Sequence, residues 1–266
     1  MLLRDLLNHI EAEFPAETAF PGDPVGLQIQ SGRSETAAVC VTLDLTEDVA
    51  DEAIRRGADC IVTFHPCIFT PLRTITDESR AGRVATRLIR AGVAVIALHT
   101  NFDAHPRGTN AVFGGRLGLR DMRPLVPDAR RAGFGIGVVG TLPVAVAPEL
   151  LAEMTAELCG APVIIAPKAG QTGVQTVAVV CGSGFSFLDA AIASGADAFI
   201  TADVKYHGYH AAAERLALIS PGHYEMEQFV PAALAQELRS LTGGAVNVFT
   251  AQTATNPVRY AAPPAA

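Results

Sequence analysis

Residues 39–63, VCVTLDLTEDVADEAIRRGADCIVT, recur in altered form as residues 177–201, VAVVCGSGFSFLDAAIASGADAFIT. Aligned without a gap, the two stretches share nine identical positions. Each begins with a β-branched run, continues with apolar residues at helical spacing, and ends with a second apolar run. Gly57 and Gly195 follow the predicted helices, where glycine adopts the left-handed conformation that ends a helix. Each copy is therefore predicted to be a strand–helix–strand unit of a parallel sheet covered by helices.

The similarity continues through a further helix and strand. It reaches His99-x-x-x-Asp103 in the first copy and His223-x-x-x-Glu227 in the second. Strand–helix–strand units also resemble one another without duplication, but the recurrence of a histidine followed by an acid favours two copies of one unit. We predict an α/β fold of duplicated lobes. The first lobe covers residues 1–123, a small inserted α+β segment covers 124–175, and the second lobe covers 176–266.

The composition of the 266 residues excludes several classes of protein. With 49% hydrophobic and 18% charged residues the chain can bury a core, which excludes wholesale disorder. Its 20 basic and 27 acidic residues give a formal charge of −7, which argues against a general nucleic-acid-binding protein. No apolar run approaches the ~18 residues that cross a bilayer. The five cysteines, without a C-x-x-C pair, fit free thiols. We expect a soluble, cytoplasmic protein that does not bind membranes.

Side chains that could bind a metal follow the predicted buried strands: His65, His99, Asp103, His223 and Glu227. Ligands of open α/β sheets bind beyond the carboxyl ends of the strands. Imidazole nitrogens combined with carboxylate oxygens suit Zn, Mn, Fe or Ni, and Glu227 could bridge two such ions. Structural alternatives stay open. A histidine after a strand is often held by hydrogen bonds, and Asp103 could cap the helix that begins near residue 109.

Several stretches, in order along nearly the whole chain, resemble motifs of the GTP cyclohydrolase 1 type 2 homologue family, the Nif-three-like dinuclear metal-centre proteins. They are Asp23-Pro-Val-Gly-Leu-Gln28, Leu43-Asp-Leu-Thr46, Phe64-His-Pro-Cys-Ile-Phe69, His99-Thr-Asn-Phe-Asp103, Asp203-Val-Lys-Tyr-His207, Gly222-His-Tyr-Glu-Met-Glu227 and Asn256-Pro-Val258. The resemblance implies two intertwined lobes with mixed sheets. It also implies a toroidal homohexamer whose metal sites face the central cavity.

The resemblance implies the metal ligands His65, Asp103, His223 and Glu227. Where the family has two adjacent histidines, this chain has Phe64 before His65, and a phenyl ring has no lone pair for a metal. Since stable zinc sites use three or four ligands, we predict one firmly held divalent transition metal and a weak or empty second site. Cys67 could be a compensating ligand if a strand continues through it, or it could be a packed thiol. We expect His105, His207 and His210 at the surface or behind the ligands.

Two functions remain open at this stage. In the first, a metal-activated water attacks a small anionic, nucleotide-like substrate, and His99 or His223 moves the proton. The resemblance implies opening of the imidazole ring of GTP as that reaction. In the second, the chain is a non-catalytic metal-binding homohexamer that acts in metal handling, regulation or protein interaction. The sequence contains no HExxH, P-loop or GxSxG motif that favours another chemistry.

Overall fold

The structure is a computed structural model that describes residues 1–30 and 32–261. Residues 262–266, the end of the predicted second lobe, lie outside the described residues. The strands are β1 (Gly26–Ile29), β2 (Ala38–Thr42), β3 (Cys60–Thr63), β4 (Ala94–Ala97), β5 (Arg120–Pro127), β6 (Gly135–Val146), β7 (Ile164–Ala166), β8 (Val174–Val179), β9 (Ala198–Ile200), β10 (Ala217–Ser220) and β11 (Asn247–Thr250). The helices are α1 (Leu3–Glu13), α2 (Glu47–Arg55), α3 (Arg80–Ala91), α4 (Thr100–Asp103), α5 (Thr109–Arg116), α6 (Pro148–Cys159), α7 (Leu188–Ala193), α8 (Tyr206–Ala213), α9 (His223–Glu227) and α10 (Val230–Thr242).

The first of two compact units comprises residues 1–108 and 230–255. Its sheet has the strand order β1-β4-β3-β2-β11, with β1 antiparallel to β4 and the other pairs parallel. Helices α2 and α3 connect the parallel strands. Their buried side chains, such as Val49 and Leu88, pack in one apolar cluster with Cys40, Ile61 and Val95 of the sheet. This packing fixes the positions of the loops that follow β2, β3 and β4.

The second unit comprises residues 109–229 and the segment from residue 256. Its mixed sheet has the order β5-β6-β8-β9-β10-β7, in which β8, β9 and β10 are parallel. Alternate residues of β8 face opposite sides, because side chains of a strand alternate. Val177 packs in a cluster with Phe113 of α5, and Ala178 packs in another with Ala191 of α7. Burial on both faces explains the continuous apolar runs of these strands.

The duplicated α/β fold with mixed sheets is confirmed, and the two copies share local contacts as well as elements. β2-α2-β3 in the first unit corresponds to β8-α7-β9 in the second. An oxygen of Asp59 accepts the N–H groups of residues 37 and 38, at 2.9 and 3.1 Å. Asp197 does the same for residues 175 and 176, at 2.9 and 2.8 Å. Gly57 and Gly195 end their helices at φ values of 73° and 81°.

The division of the chain into units differs from the boundaries expected from the sequence. Both expected boundaries, after residues 123 and 175, lie inside the second unit. The segment 124–175 supplies half of β5 together with β6 and β7, which are hydrogen-bonded into the same sheet as β8 and β10. Conversely, α10 and β11 return to the first unit, where β11 pairs with β2. Of the described residues, none forms a helix long and apolar enough to span a membrane.

Candidate metal centre

The first unit places two of the predicted imidazoles beside each other. Because β2, β3 and β4 are parallel, their carboxyl ends meet at one edge of the sheet, and Asp44, His65 and His99 follow these strands in turn. The His65 Nδ1 atom lies 2.8 Å from Asp44 Oδ1. The ring centroids of His65 and His99 are 5.6 Å apart. This edge of the sheet therefore presents two half-buried imidazoles.

His99 is held by a carboxylate from the segment before β1. Its Nδ1 lies 2.8 and 3.0 Å from the two carboxylate oxygens of Asp23, which also accepts the backbone N–H of Thr100 at 3.1 Å. Burial raises the pKa of Asp23, but hydrogen bonds from His99 and Thr100 outweigh burial and hold this pKa below its ordinary value. Asp44 behaves alike: burial raises its pKa, and the hydrogen bond from His65 brings it below the ordinary value. Since an ionised carboxylate only accepts, Nδ1–H of each histidine donates, and in the neutral ring Nε2 is then the atom that carries the lone pair.

Asp103 is the last residue of α4, one helical turn after His99. The N–H of Asp103 donates to the His99 carbonyl oxygen at 3.0 Å. The buried side chain of Asn101 fixes this turn, because its Oδ1 accepts the His99 N–H at 3.0 Å and its Nδ2 donates to the Phe14 carbonyl at 2.8 Å. Gly108, rather than Asp103, directly precedes α5. Asp103 is therefore not in the capping position that the sequence left open for it.

The second unit brings His223 and Glu227 together at the two ends of α9. The His223 Nε2 atom lies 3.1 Å from Glu227 Oε2, and the Glu227 side chain is only 4% exposed. On the other side of the ring, Nδ1 lies 2.6 Å from Asp203 Oδ2, which also accepts the hydroxyl of Ser183. Burial raises the pKa of Asp203, but the bonds from Ser183 and His223 lower it overall. The imidazole is therefore held between two carboxylates.

The charges around His223 favour its protonated form. The hydrogen bond to Glu227 raises the pKa of His223 most. Burial lowers this pKa, but Asp203 raises it further, so that it reaches about 9. At neutral pH the imidazolium then donates from Nδ1 to Asp203 and from Nε2 to Glu227. A metal that binds Nε2 has to displace this proton, so its affinity would fall with decreasing pH.

Gly182 makes room for the pair of ligands on α9. It follows β8 with a left-handed φ of 66°, which side chains rarely adopt. A Cβ atom at this position would lie 2.6 Å from Glu227 Oε1 and 3.2 Å from His223 Cε1. The backbone thus approaches the two side chains as closely as only glycine permits.

Phe64 and Cys67 pack as apolar side chains. The fully buried ring of Phe64 lies 5.1 Å from the His65 ring and 5.4 Å from the His99 ring, centroid to centroid. Strand β3 ends at Thr63, so the alternation of faces that would return Cys67 to the side of His65 does not apply. Cys67 packs against the apolar cluster of the first unit, and burial raises the pKa of its thiol. The packed-thiol interpretation therefore holds for Cys67.

The residues that the sequence interpretation missed are the three aspartates that orient the histidines: Asp23, Asp44 and Asp203. All three lie in stretches quoted above for their resemblance to family motifs, which was the available signal. The other histidines divide into two kinds. His207 and His210 are exposed, as expected, whereas His105 is 4% exposed and its Nε2 lies 3.2 Å from a Glu13 oxygen.

Comparison with known proteins establishes the family. Residues 1–257 match the family described as Duf34/NIF3 (NGG1p interacting factor 3). The chain belongs to the Duf34/NIF3 family. Two similar relatives are both named GTP cyclohydrolase 1 type 2 homolog. The protein from Lactococcus lactis is 33% identical over 97% of this chain and 98% of its own length. The protein from Nostoc is 35% identical over 91% of this chain and 92% of its own length.

A solved structure shows that the fold is that of the Duf34/NIF3 family. The Bacillus cereus protein related to NIF3 superposes with a TM-score of 0.90, at 21% sequence identity, over 98% of this chain and 99% of its own. At this identity the likeness concerns the fold alone. Together with the family match, it confirms the resemblance inferred from the sequence motifs.

Proposed function

We propose that the chain is a metal-binding protein that hydrolyses a small anionic, nucleotide-like substrate. The proposed ligands are His65, Asp103, His223 and Glu227, and the proposed ion is a divalent transition metal, Zn, Mn, Fe or Ni. The observation that carries the proposal is the arrangement on α9, where a histidine oriented by an aspartate meets a buried carboxylate. The name of the relatives, GTP cyclohydrolase 1 type 2 homolog, supports the choice of substrate class.

The proposed ligands suit a metal in the type of their donor atoms and in the hydrogen bonds that orient them. Histidines that bind metals commonly donate their other ring N–H to a carboxylate, which fixes the ring and raises the basicity of the coordinating nitrogen. His65 and His223 both have this arrangement, through Asp44 and Asp203. Because Gly182 has no side chain, this residue does not cover Glu227 Oε1 or His223 Cε1, the two atoms that face it. With Phe64 in place of a ligand, we propose one firmly held ion and a weak or empty second site.

The proposed reaction assigns separate tasks to the side chains. When bound, a divalent metal lowers the pKa of a water molecule towards neutrality. His99 is the proton acceptor in this scheme, because Asp23 holds its Nδ1–H and leaves Nε2 to take the proton. Asp203 keeps the His223 ring in one orientation, and Asp44 does the same for His65. Without a metal, His223 is already protonated at neutral pH, so it suits the role of acid better than that of base.

One observation favours a second candidate, a metal-binding homohexamer without catalysis. The buried phenyl ring of Phe64 occupies the position of a family ligand and packs against the rings of His65 and His99. If the reaction needs two ions, this ring removes one of them. The chain would then act in metal handling, regulation or protein interaction. Under either candidate we propose a cytoplasmic protein.

The substitution Phe64→His separates the two candidates, and Phe64→Leu is its matched control. The proteins are purified without chelators, their metal content is measured, and GTP and a simple phosphodiester are assayed with added Mn, Zn or Fe. We expect about one ion per chain in the wild type and in Phe64→Leu. Phe64→His should raise the content towards two and increase turnover, because it adds an imidazole beside His65 and His99.

The outcomes distinguish the candidates directly. Metal bound without turnover in all three proteins would favour the non-catalytic candidate. A wild type that carries no metal after such a purification would contradict both.

A further inference from the structure

Helix α8 begins with side chains that are rare in this chain. The sequence Lys205-Tyr-His-Gly-Tyr-His210 contains two of the four tyrosines, two of the seven histidines and one of the two lysines. We call Lys205, Tyr206, His207 and His210 the α8 patch. The proposed reaction uses none of these side chains.

The side chains of the α8 patch are all exposed. The Tyr206 side chain is 71% exposed, although an aromatic ring gains stability from burial. Its ring contacts the imidazoles of His207 and His210 edge to face, with centroids 5.4 and 5.0 Å apart. Among residues 1–30 and 32–261, none forms an ion pair with Lys205 or accepts a hydrogen bond from its ammonium group. Within the described part of the chain, the Lys205 ammonium group is therefore available to a ligand.

Helix stability does not explain the position of Lys205. It is the N-cap residue of α8, where a cation opposes the helix dipole at a cost of about 0.3–1 kcal/mol. The N-cap side chains of α2 and α3 accept hydrogen bonds from their helices, whereas those of α1, α6 and α9 make none, but all five N-caps are uncharged. Positions that break a local rule in this way are often functional.

The patch is attached rigidly and close to the proposed metal ligands. A Cβ atom on Gly208 would lie 2.7 Å from Phe185 and 2.9 Å from Val204, so α8 packs tightly on both side chains. Asp203, which holds His223, precedes Lys205 by two residues. Their Cα atoms are therefore within about 7.6 Å of each other. The α8 patch therefore begins close in the chain to the aspartate that orients His223.

We propose that the α8 patch binds a phosphorylated planar ring compound of the nucleotide class. The ring stacks on Tyr206, and the phosphate groups accept hydrogen bonds from the Lys205 ammonium and from the imidazole N–H groups of His207 and His210. Aromatic side chains stack on any base, and lysine binds phosphate as a point charge. The inference deepens the proposed function, because it assigns residues to substrate recognition. It rests on the proposed function only for the reaction that follows binding.

Calorimetric titration with three probes tests the proposal: GTP, guanosine and inorganic tripolyphosphate. Tyr206→Ala should raise the Kd for GTP and for guanosine about tenfold, because it removes a stacking surface. Lys205→Gln should raise the Kd for GTP and tripolyphosphate about fivefold and leave guanosine unchanged. Tyr206→Phe keeps the ring and should bind as the wild type does. Lys168→Gln, which alters the other, exposed lysine, is the matched control.

Metal content and turnover, measured on the same samples, separate this inference from the proposed function. If Lys205→Gln and Tyr206→Ala bind GTP as tightly as the wild type, or if the wild type binds no probe up to about 5 mM, the inference is overturned. If the variants weaken binding as expected while the wild type carries no metal and shows no turnover, the inference stands and the proposed function fails. The substituted positions are exposed, so the variants should fold, which a thermal unfolding curve verifies.

Discussion

Three histidines of the candidate centre are oriented in the same way. His65, His99 and His223 each place Nδ1 within 2.8 Å of a carboxylate oxygen. Hydrogen bonds to each aspartate outweigh the effect of burial and lower its pKa. The ionised partner therefore selects the tautomer of His65 and His99. At His223 the second carboxylate, Glu227, instead stabilises the protonated ring and raises its pKa to about 9.

At the residue scale, Gly182→Ala should lower metal content several-fold, because the new Cβ would lie 2.6 Å from Glu227 Oε1. Gly195→Ala is the matched control, since it has a similar φ of 81° but nothing within 4 Å of the added Cβ. Both substitutions should cost about 1 kcal/mol of unfolding free energy from the left-handed backbone. Metal analysis and chemical denaturation measure the two effects. Equal metal content in both variants would show that Gly182 has no special relation to the ligands.

The histidines could be identified from the sequence, but their partners could not. A histidine after an apolar strand is visible in the linear pattern. The aspartates lie 21, 76 and 20 positions away from His65, His99 and His223, and only the fold brings them together. For Phe64 the sequence was sufficient, because the inability of a phenyl ring to bind a metal follows from its chemistry alone.

At the element scale, buried glutamates connect helices to distant segments. Glu225 of α9 is buried and its Oε1 accepts the Asn256 side chain at 2.8 Å, so the C-terminal segment fixes the helix that carries His223 and Glu227. Glu52 of α2 plays the same part in the first unit. It accepts the N–H groups of Gln252 and Thr253, at 2.8 Å each, and these residues follow β11.

Glu52→Gln should make the first unit less stable in a pH-dependent manner. Burial raises the pKa of Glu52, but its hydrogen bonds outweigh burial and lower the pKa from 4.5 to about 2. A lowered pKa stabilises the fold above about pH 4.5, and this stabilisation is lost as the pH falls towards 2. At pH 7 the variant should lose about 2–3 kcal/mol of unfolding free energy, and the difference from the wild type should shrink on acidification.

Urea unfolding between pH 7 and pH 3 measures the effect of Glu52→Gln, and Glu153→Gln on the exposed face of α6 is the control. The control should stay within about 0.5 kcal/mol of the wild type. A difference between wild type and Glu52→Gln that does not vary with pH would contradict the role of the carboxylate charge.

Elements with strong local patterns were predictable, and their ends were less so. The repeated strand–helix–strand units follow from apolar periodicity and from glycines that end helices. The helix from Pro148 also follows, since it begins with proline in its first turn and ends before Gly160 at a φ of 67°. The interpretation of Cys67 depended on where β3 ends. Four more strand residues would have kept the alternation as far as Cys67, and Pro66 argues against them because proline has no N–H for the strand ladder.

At the scale of the whole molecule, the course of the chain was the hardest feature to predict. The chain leaves the first unit after residue 108 and returns to it at residue 230. Pairing of β11 with β2 joins residues about 200 positions apart, and β7 pairs with β10 across two intervening strands in the sequence. Composition and periodicity carry no information about such pairings. The fold family could still be recognised, because its motifs keep their order along the chain.

The central proposal is that Asp103 and Glu227 are among the ligands of one metal ion, and the metal content of Asp103→Asn and Glu227→Gln tests it most directly. Both substitutions keep the shape of the side chain and remove the charge of a proposed ligand. Inductively coupled plasma mass spectrometry on proteins purified without chelators should find about one ion per chain in the wild type and almost none in either variant or in the double variant. Full retention of the ion in either single variant would contradict the account.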